Sequence, residues 1–227
     1  MGGTLLRSES GHQPPDGEKF REFVILLADG MHVVNDDGTC VVPRGGREGD
    51  ACNQIGDPED QGFGSVNNRS EPFRHRFESG NDSAHLVYSS REHGDPNTPV
   101  FRAIPNDTVV LRVSQSGTQT RGVAFHLSDH RWSRYRADPD EPIIGVDDHL
   151  SPGKTINISP IDDAGGLTRA PGDYIFQELK TRGRLESGIW GIFRVRDNRD
   201  DFENDPILPL SEVGTGGSRS ADGRFRR

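Results

Sequence analysis

Apolar residues along this chain recur at alternate positions in short runs, and turn chemistry cuts the runs apart. β-type segments read at 22–28 (EFVILLA), 32–34 (HVV), 85–90 (HLVYSS), 100–104 (VFRAI), 108–114 (TVVLRVS), 122–127 (GVAFHL), 155–160 (TINISP), 173–179 (DYIFQEL) and 190–195 (WGIFRV). In VVLRV and WGIFRV the bulky apolar residues share one face while Arg112 and Arg194 turn to the other, the period of a half-buried strand. Turn residues fall between the runs at 105–107 (PND), 116–119 (SGTQ), 151–153 (SPG) and 170–173 (APGD). Helical periodicity free of glycine and proline is never sustained for more than about ten residues. Short strands at this spacing predict an all-β fold, an antiparallel Greek-key β-sandwich with long loops and flexible termini.

Composition sets how much of the chain joins that core. With 227 residues, 30% hydrophobic and 28% charged, it is long enough for one core-bearing domain plus irregular additions and too polar to be core throughout. Residues 1–18 are polar and marked by proline and glycine, and read as a disordered lead or linker. The domain is expected over 19–196, with a loop insertion at 43–68, and residues 197–227 read as a polar tail. No apolar run approaches the roughly 18 to 20 residues that cross a bilayer, so no membrane span is expected. MGGTLLRSES lacks the apolar segment of a secretory signal, and the chain reads as soluble and untargeted.

Charge excludes one partner class. The net charge of −9 opposes phosphate binding, and no basic run is interleaved with aromatics, so nucleic acid is not an expected partner. All but three of the 27 basic residues are arginine, the exceptions being Lys19, Lys154 and Lys180. Acidic pieces such as NDDG, GDPED, ADPDEP and DNRDDFENDP have the residue types of calcium loops and, equally, of solvated turns. Cys40 and Cys52 lack the spacing of zinc or redox motifs, leaving a local disulfide or two bystander thiols. Four Asn-x-Ser/Thr triplets, at Asn68, Asn81, Asn106 and Asn157, carry little weight by themselves.

The stretch GVAFHLSDHRW holds the one suggestive metal spacing, with His126 and His130 four residues apart. On a helix that spacing puts two imidazoles on one face, but an alternating strand projects them differently, and no glutamate lies between them to act as a base. His149, in DDHLSPG, is a third candidate from a following loop. There is no Gly-x-Ser-x-Gly elbow and no phosphate-cradling loop. RSEPFRHRF (69–77) sets three arginines around two phenylalanines, an anion site or a set of partners for the abundant carboxylates.

Taken in order, TPVFRAIPNDTVVLRV, GVAFHLSDHRW, DEPIIGVDDHLSPGKTINI, GGLTRAPGDYIFQEL and SGIWGIFRV resemble the last cupredoxin domain of multicopper oxidases. The upstream pieces REFVILLADG, EDQG, NNRSEPF and REHGDPNTPV resemble the large bacterial and archaeal copper oxidase-like proteins, so that the likeness spans residues 20 to 196. It implies a cupredoxin-like Greek-key sandwich. It also implies a copper-ligand run His-x-x-His-x-His, which on this chain becomes Val123, His126, Ser128 and, two residues on, His130. The type 1 position is then Val123 and one type 3 position is Ser128. The second run of the family, with its His, Cys and axial Met, falls between Tyr174 and Trp190, where there is no His, Cys or Met, and Ile189 stands in the axial place.

A blue copper centre needs a thiolate and two imidazoles, so the resemblance implies the scaffold without its type 1 ligands. A trinuclear cluster takes about eight imidazoles shared between domains. This chain has eight histidines, scattered from His12 to His149. The expected copper-binding set is therefore reduced to His126, with His130 and His149 as companions, and copper is expected to be absent or substoichiometric in the isolated chain. The main expectation is a structural or docking part of a larger or split copper oxidase, inactive alone, whose partners are other cupredoxin domains or subunits. The alternative is a copper-binding oxidoreductase using a residual or interface histidine site. A third reading is a calcium or acidic-loop binding module. The family works mainly outside the cytoplasm, whereas this chain shows no export signal.

Overall fold

In a computed structural model of the chain, the residues described are 19–31, 37, 63–77, 84–116, 122–134, 140–179 and 185–197. The strands are β1 (Arg21–Met31), β2 (Phe63–Val66), β3 (Val100–Ala103), β4 (Val109–Gln115), β5 (Val123–Leu127), β6 (Trp132–Ser133), β7 (Ile143–Ile144), β8 (Val146–Leu150), β9 (Thr155–Ile158), β10 (Gly172–Glu178) and β11 (Trp190–Val195). Two short helices, α1 (Phe73–Phe77) and α2 (Ser90–His93), lie between β2 and β3. One sheet has the order β2-β1-β4-β9 and the other β3-β11-β10-β5-β8, while β6 and β7 form a separate pair. β1 with β2 and β10 with β11 are neighbours in sequence as well as in the sheet, whereas β1 with β4, β4 with β9, β3 with β11, β10 with β5 and β5 with β8 pair across intervening strands. Two of the pairings, β1 with β4 and β3 with β11, are parallel; the remaining pairings are antiparallel.

The alternation in the sequence places the core. Phe23, Ile25 and Leu27 on β1 and Leu111 and Val113 on β4 face Phe125 and Leu127 on β5, Tyr174 and Phe176 on β10, and Phe193 and Val195 on β11. Full burial of such a side chain contributes about 1.5–3 kcal/mol, and a one-residue slip would turn a whole strand's set to the wrong face. Gly191 is needed where β11 passes Phe176. A Cβ there would lie 2.2 Å from Phe176 Cζ. Arg112 leaves the core as expected and pairs with Glu22 on the neighbouring strand.

Three expectations change. HLVYSS (85–90) is not a strand: Ala84–Leu86 is a 3-10 turn, and Ser89 caps α2 by accepting from the Glu92 N–H. Its apolar character serves packing, because Arg76 takes the Val87 carbonyl that a ladder would have used. The end of the 43–68 loop, FGSV, is strand β2, fully buried against β1. Asn67 then closes the strand edge by accepting from Leu26 N–H (2.7 Å) and donating to the Val24 carbonyl (2.9 Å). WGIFRV is not half-buried, since Trp190 and Ile192 on its outward side are as inaccessible as Phe193. The reason is a roof formed by residues 71–77 and 84–98. The remainder of the insertion, HVV at 32–34, Cys40, Cys52, the chain up to residue 18 and the tail beyond 197 lie outside the described residues.

The roof is tied down by a buried cation. Arg76 donates to Glu71 Oε1 (3.0 Å), the Val87 carbonyl (3.1 Å) and the Gly94 carbonyl (3.2 Å), and its guanidinium lies 4.8 Å above the Trp190 ring. Trp190 Nε1 donates to the Glu71 carbonyl, and Phe73 and Tyr88 meet the indole edge-on. At the far side Arg194 reaches Asp95 and Asp173 through paired hydrogen bonds of 2.7–2.9 Å. The guanidinium holds the Asp95 carboxyl below its ordinary range.

Candidate functional site

The three histidines singled out by sequence are placed in three different settings. His126 is on β5, between Gln177 of β10 and Val146 of β8, on the outward side of the second sheet. His130 follows the turn after β5 and is buried, its ring edge-on to Tyr174 and Phe193. His149 is on β8 and exposed, with Nδ1 2.9 Å from Asp148 Oδ1 and 3.4 Å from Asp147 Oδ1. Among the described residues, the one group of three ligand side chains within metal-binding reach of one another is Asp147, Asp148 and His149. Neither His126 nor His130 belongs to it. Arg134 stands over the same carboxylates, 3.6 Å from Asp148 and 4.0 Å from Asp147.

His130 behaves as a core residue. Its Nδ1 meets the Ser128 carbonyl at 2.7 Å, so the proton sits on Nδ1, and the bare Nε2 is buried without a hydrogen-bond partner among the described residues. Burial holds its pKa below the ordinary imidazole value, against the opposing pull of the Ser128 carbonyl, Asp129 and Asp162. Ser128 is occupied by the sheet: its hydroxyl accepts from Ile175 N–H (2.8 Å) and its own N–H donates to the Ile175 carbonyl (2.9 Å).

The two positions that the resemblance aligns with type 1 ligands are apolar core. Val123 and Ile189 are 1% and 0% exposed and belong to the cluster between the sheets. Neither carries an electron pair for a metal. The charge-bearing neighbour is Glu178, wholly buried, whose carboxylate accepts from Ala124 N–H (3.3 Å). A type 1 copper therefore does not fit these residues.

His126 is the polar centre of what is left. Across the outward side of the second sheet, Trp190, Gln177, His126 and Val146 form one lateral row. Among the described residues the roof covers Trp190 and reaches as far as Gln177, while His126 is half-buried and Val146 exposed. Tyr88 donates from its hydroxyl to Gln177 Oε1 (2.8 Å), and Gln177 Nε2 is 3.4 Å from His126 Nδ1. Burial pushes the Tyr88 phenol up to about 12 and the His126 imidazole below its ordinary value, the latter against the field of Asp129. Both are neutral at pH 7. Tyr88 and Gln177 are the residues that sequence reasoning missed, and nothing in their own segments signals them. They are 89 positions apart and meet because β10 pairs with β11, which sets Gln177 beside the Trp190 ring that Tyr88 packs against.

RSEPFRHRF is a structural element at its one described buried arginine: Arg76 pairs with Glu71 instead of offering an anion site. Most of the acidic pieces read as calcium loops lie outside the described residues.

Strand order and core packing define an all-β protein of the cupredoxin-like, Greek-key sandwich class. Comparison with solved structures finds the following similarities. A multicopper oxidase matches with a TM-score of 0.42 and 13% identity over 81% of this chain and 46% of that one. A copper-containing nitrite reductase from Thermus scotoductus SA-01 matches with a TM-score of 0.41 and 15% identity over 85% and 36%. A blue copper oxidase from Nitrosomonas europaea matches with a TM-score of 0.41 and 13% identity over 85% and 48%. The chain spans about half or less of the length of these proteins. No family model matches the chain, and no curated protein matches it. The sheet order, not these scores, carries the fold assignment, and the likeness extends to no reaction.

Proposed function

We propose that this chain is a multicopper-oxidase-like cupredoxin domain that has lost its own copper sites and serves as a structural or docking part of a larger or split copper oxidase. The observation that carries the reading is the packing of Val123 and Ile189. These are the positions that the sequence resemblance aligns with type 1 ligands, and both are fully buried hydrocarbon between the sheets. Copper affinity at such a centre comes from thiolate and imidazole electron pairs, which valine and isoleucine do not have. The apolar replacement also gains what a buried polar ligand would cost without its metal, so the change favours a stable sandwich. The placement of Ser128 in the β5–β10 ladder and of His130 in the core supports the same reading. The partners of such a part are other cupredoxin domains or subunits.

A second reading, a copper held by His126 at an interface with another chain, is favoured by one observation: His126 lies on the part of the sheet that the roof leaves open. Copper per chain, measured by elemental analysis after reconstitution and removal of excess, tests both, with the His126→Ala variant alongside. The expected result is no stoichiometric copper in either protein. Stoichiometric copper that disappears in the variant overturns the first reading in favour of the second.

A further inference from the structure

We infer that Tyr88 and Gln177 hold His126 in the Nε2–H tautomer, so that the nitrogen it turns outward donates a hydrogen bond to an oxygen acceptor and offers no electron pair to a cation. The inference rests on the reading of His126 as a former ligand position and says what that position has become.

The argument runs from the roof inward. Tyr88 is fixed by its edge-on contacts with Phe73 and Trp190, at 5.5 and 5.0 Å between ring centres. Its phenol stays protonated at neutral pH, so a partly buried O–H has to find an acceptor. Among the described residues that acceptor is Gln177 Oε1. An amide whose oxygen is taken on one side presents its NH2 on the other, and that side is His126 Nδ1. A nitrogen that accepts a hydrogen bond carries no proton, which in a neutral imidazole leaves the proton on Nε2. Nε2 has no hydrogen-bond partner among the described residues, and it is not among the buried unpartnered atoms. Turning the amide over would give Nδ1 the proton and free Nε2 as a ligand. It would also set the amide NH2 against the Tyr88 hydroxyl, leaving the phenol proton without its acceptor. A metal approaching Nε2 therefore has to displace a proton and undo a hydrogen-bond chain anchored under the roof. In metal sites the arrangement is the reverse, with the non-ligating ring nitrogen donating to an oxygen. The ligand class that suits His126 is a carbonyl or carboxylate oxygen, approaching beside the exposed side chain of Val146.

The test is a long-range ¹H–¹⁵N correlation of the ring nitrogens in the full chain with ¹⁵N-labelled histidine at pH 7.5, assigned by comparison with His126→Ala. The expected spectrum has a protonated Nε2 and an unprotonated Nδ1 at His126. Gln177→Glu, which offers Nδ1 only acceptors, is expected to reverse the pattern. Tyr88→Phe, which keeps the ring packing and removes the hydroxyl, is expected to give a mixture of the two. A protonated Nδ1 in the unaltered protein overturns the inference, as does a Tyr88→Phe spectrum identical to it. Copper(II) titration of the same samples separates this from the wider proposal: a protonated Nδ1 without copper binding defeats only the tautomer assignment, whereas stoichiometric copper defeats the loss of the copper site.

Discussion

Replacing Arg76 with methionine should loosen the roof over the second sheet and cost more than any surface arginine would. The side chain is 1% exposed, and its partner Glu71 is 9% exposed. Methionine fills much of the same volume and keeps contact with Trp190, so the loss is mainly of charge and hydrogen bonds. Removing one member of a buried pair costs about 3–5 kcal/mol, because the other charge stays buried without compensation. Glu71 retains the Asn97 N–H on its second oxygen (3.0 Å), which places the expectation near the lower end, about 3 kcal/mol. For a domain of this size 1 kcal/mol moves Tm by about 2–4 °C, so the variant should melt about 6–12 °C lower. Urea unfolding with the slope held equal supplies the free energy. The double variant Glu71→Gln with Arg76→Met removes the stranded charge and should recover at least about 1 kcal/mol of the loss. A single variant within about 1 kcal/mol of the parent refutes the account of Arg76 as the tie of the roof.

Two further outcomes follow from the core. His130 is neutral in the folded protein because burial lowers its pKa, while in the unfolded chain it titrates near 6.5. The unfolded state then binds the proton more readily, so this contribution to stability is complete above about pH 6.5 and is lost as pH falls below it. His130→Phe should flatten that part of the pH dependence, read as the difference in urea midpoint between pH 7 and pH 5; an unchanged difference would count against it. Gly191→Ala sets a methyl 2.2 Å from the Phe176 ring edge and should cost about 1–3 kcal/mol by overpacking, visible as a lower urea midpoint. An unshifted midpoint would mean that Phe176 has room to move.

Seven of the nine β-type segments read from alternation are strands, because inward and outward residues in VVLRV, VAFHL and DYIFQEL differ in kind and period-2 burial is local information. HLVYSS failed for the opposite reason. Its Tyr88 meets the Trp190 ring edge-on, and neither that contact nor the Arg76 bond to the Val87 carbonyl is written in the segment. Of the candidate site, the apolar identities at Val123 and Ile189 were legible in sequence once the motifs were laid in order, since the absence of a donor atom needs no coordinates. The separate fates of His126, His130 and His149 were not, since three imidazoles on one strand, one turn and one later strand can face in any combination until the sheet is assembled.

By itself, then, the sequence determined the strand-rich class, the outward turn of Arg112 and Arg194, and the lack of thiolate and imidazole where a type 1 centre would need them. Tertiary structure alone decided which histidine is core, which is paired with carboxylates and which is left on the open part of the sheet. It also brought Tyr88 to Gln177 and Gln177 to His126. The physical reason is range: side-chain alternation and donor chemistry are properties of a residue and its near neighbours, whereas a hydrogen-bond chain across a sheet depends on register between strands separated by tens of residues.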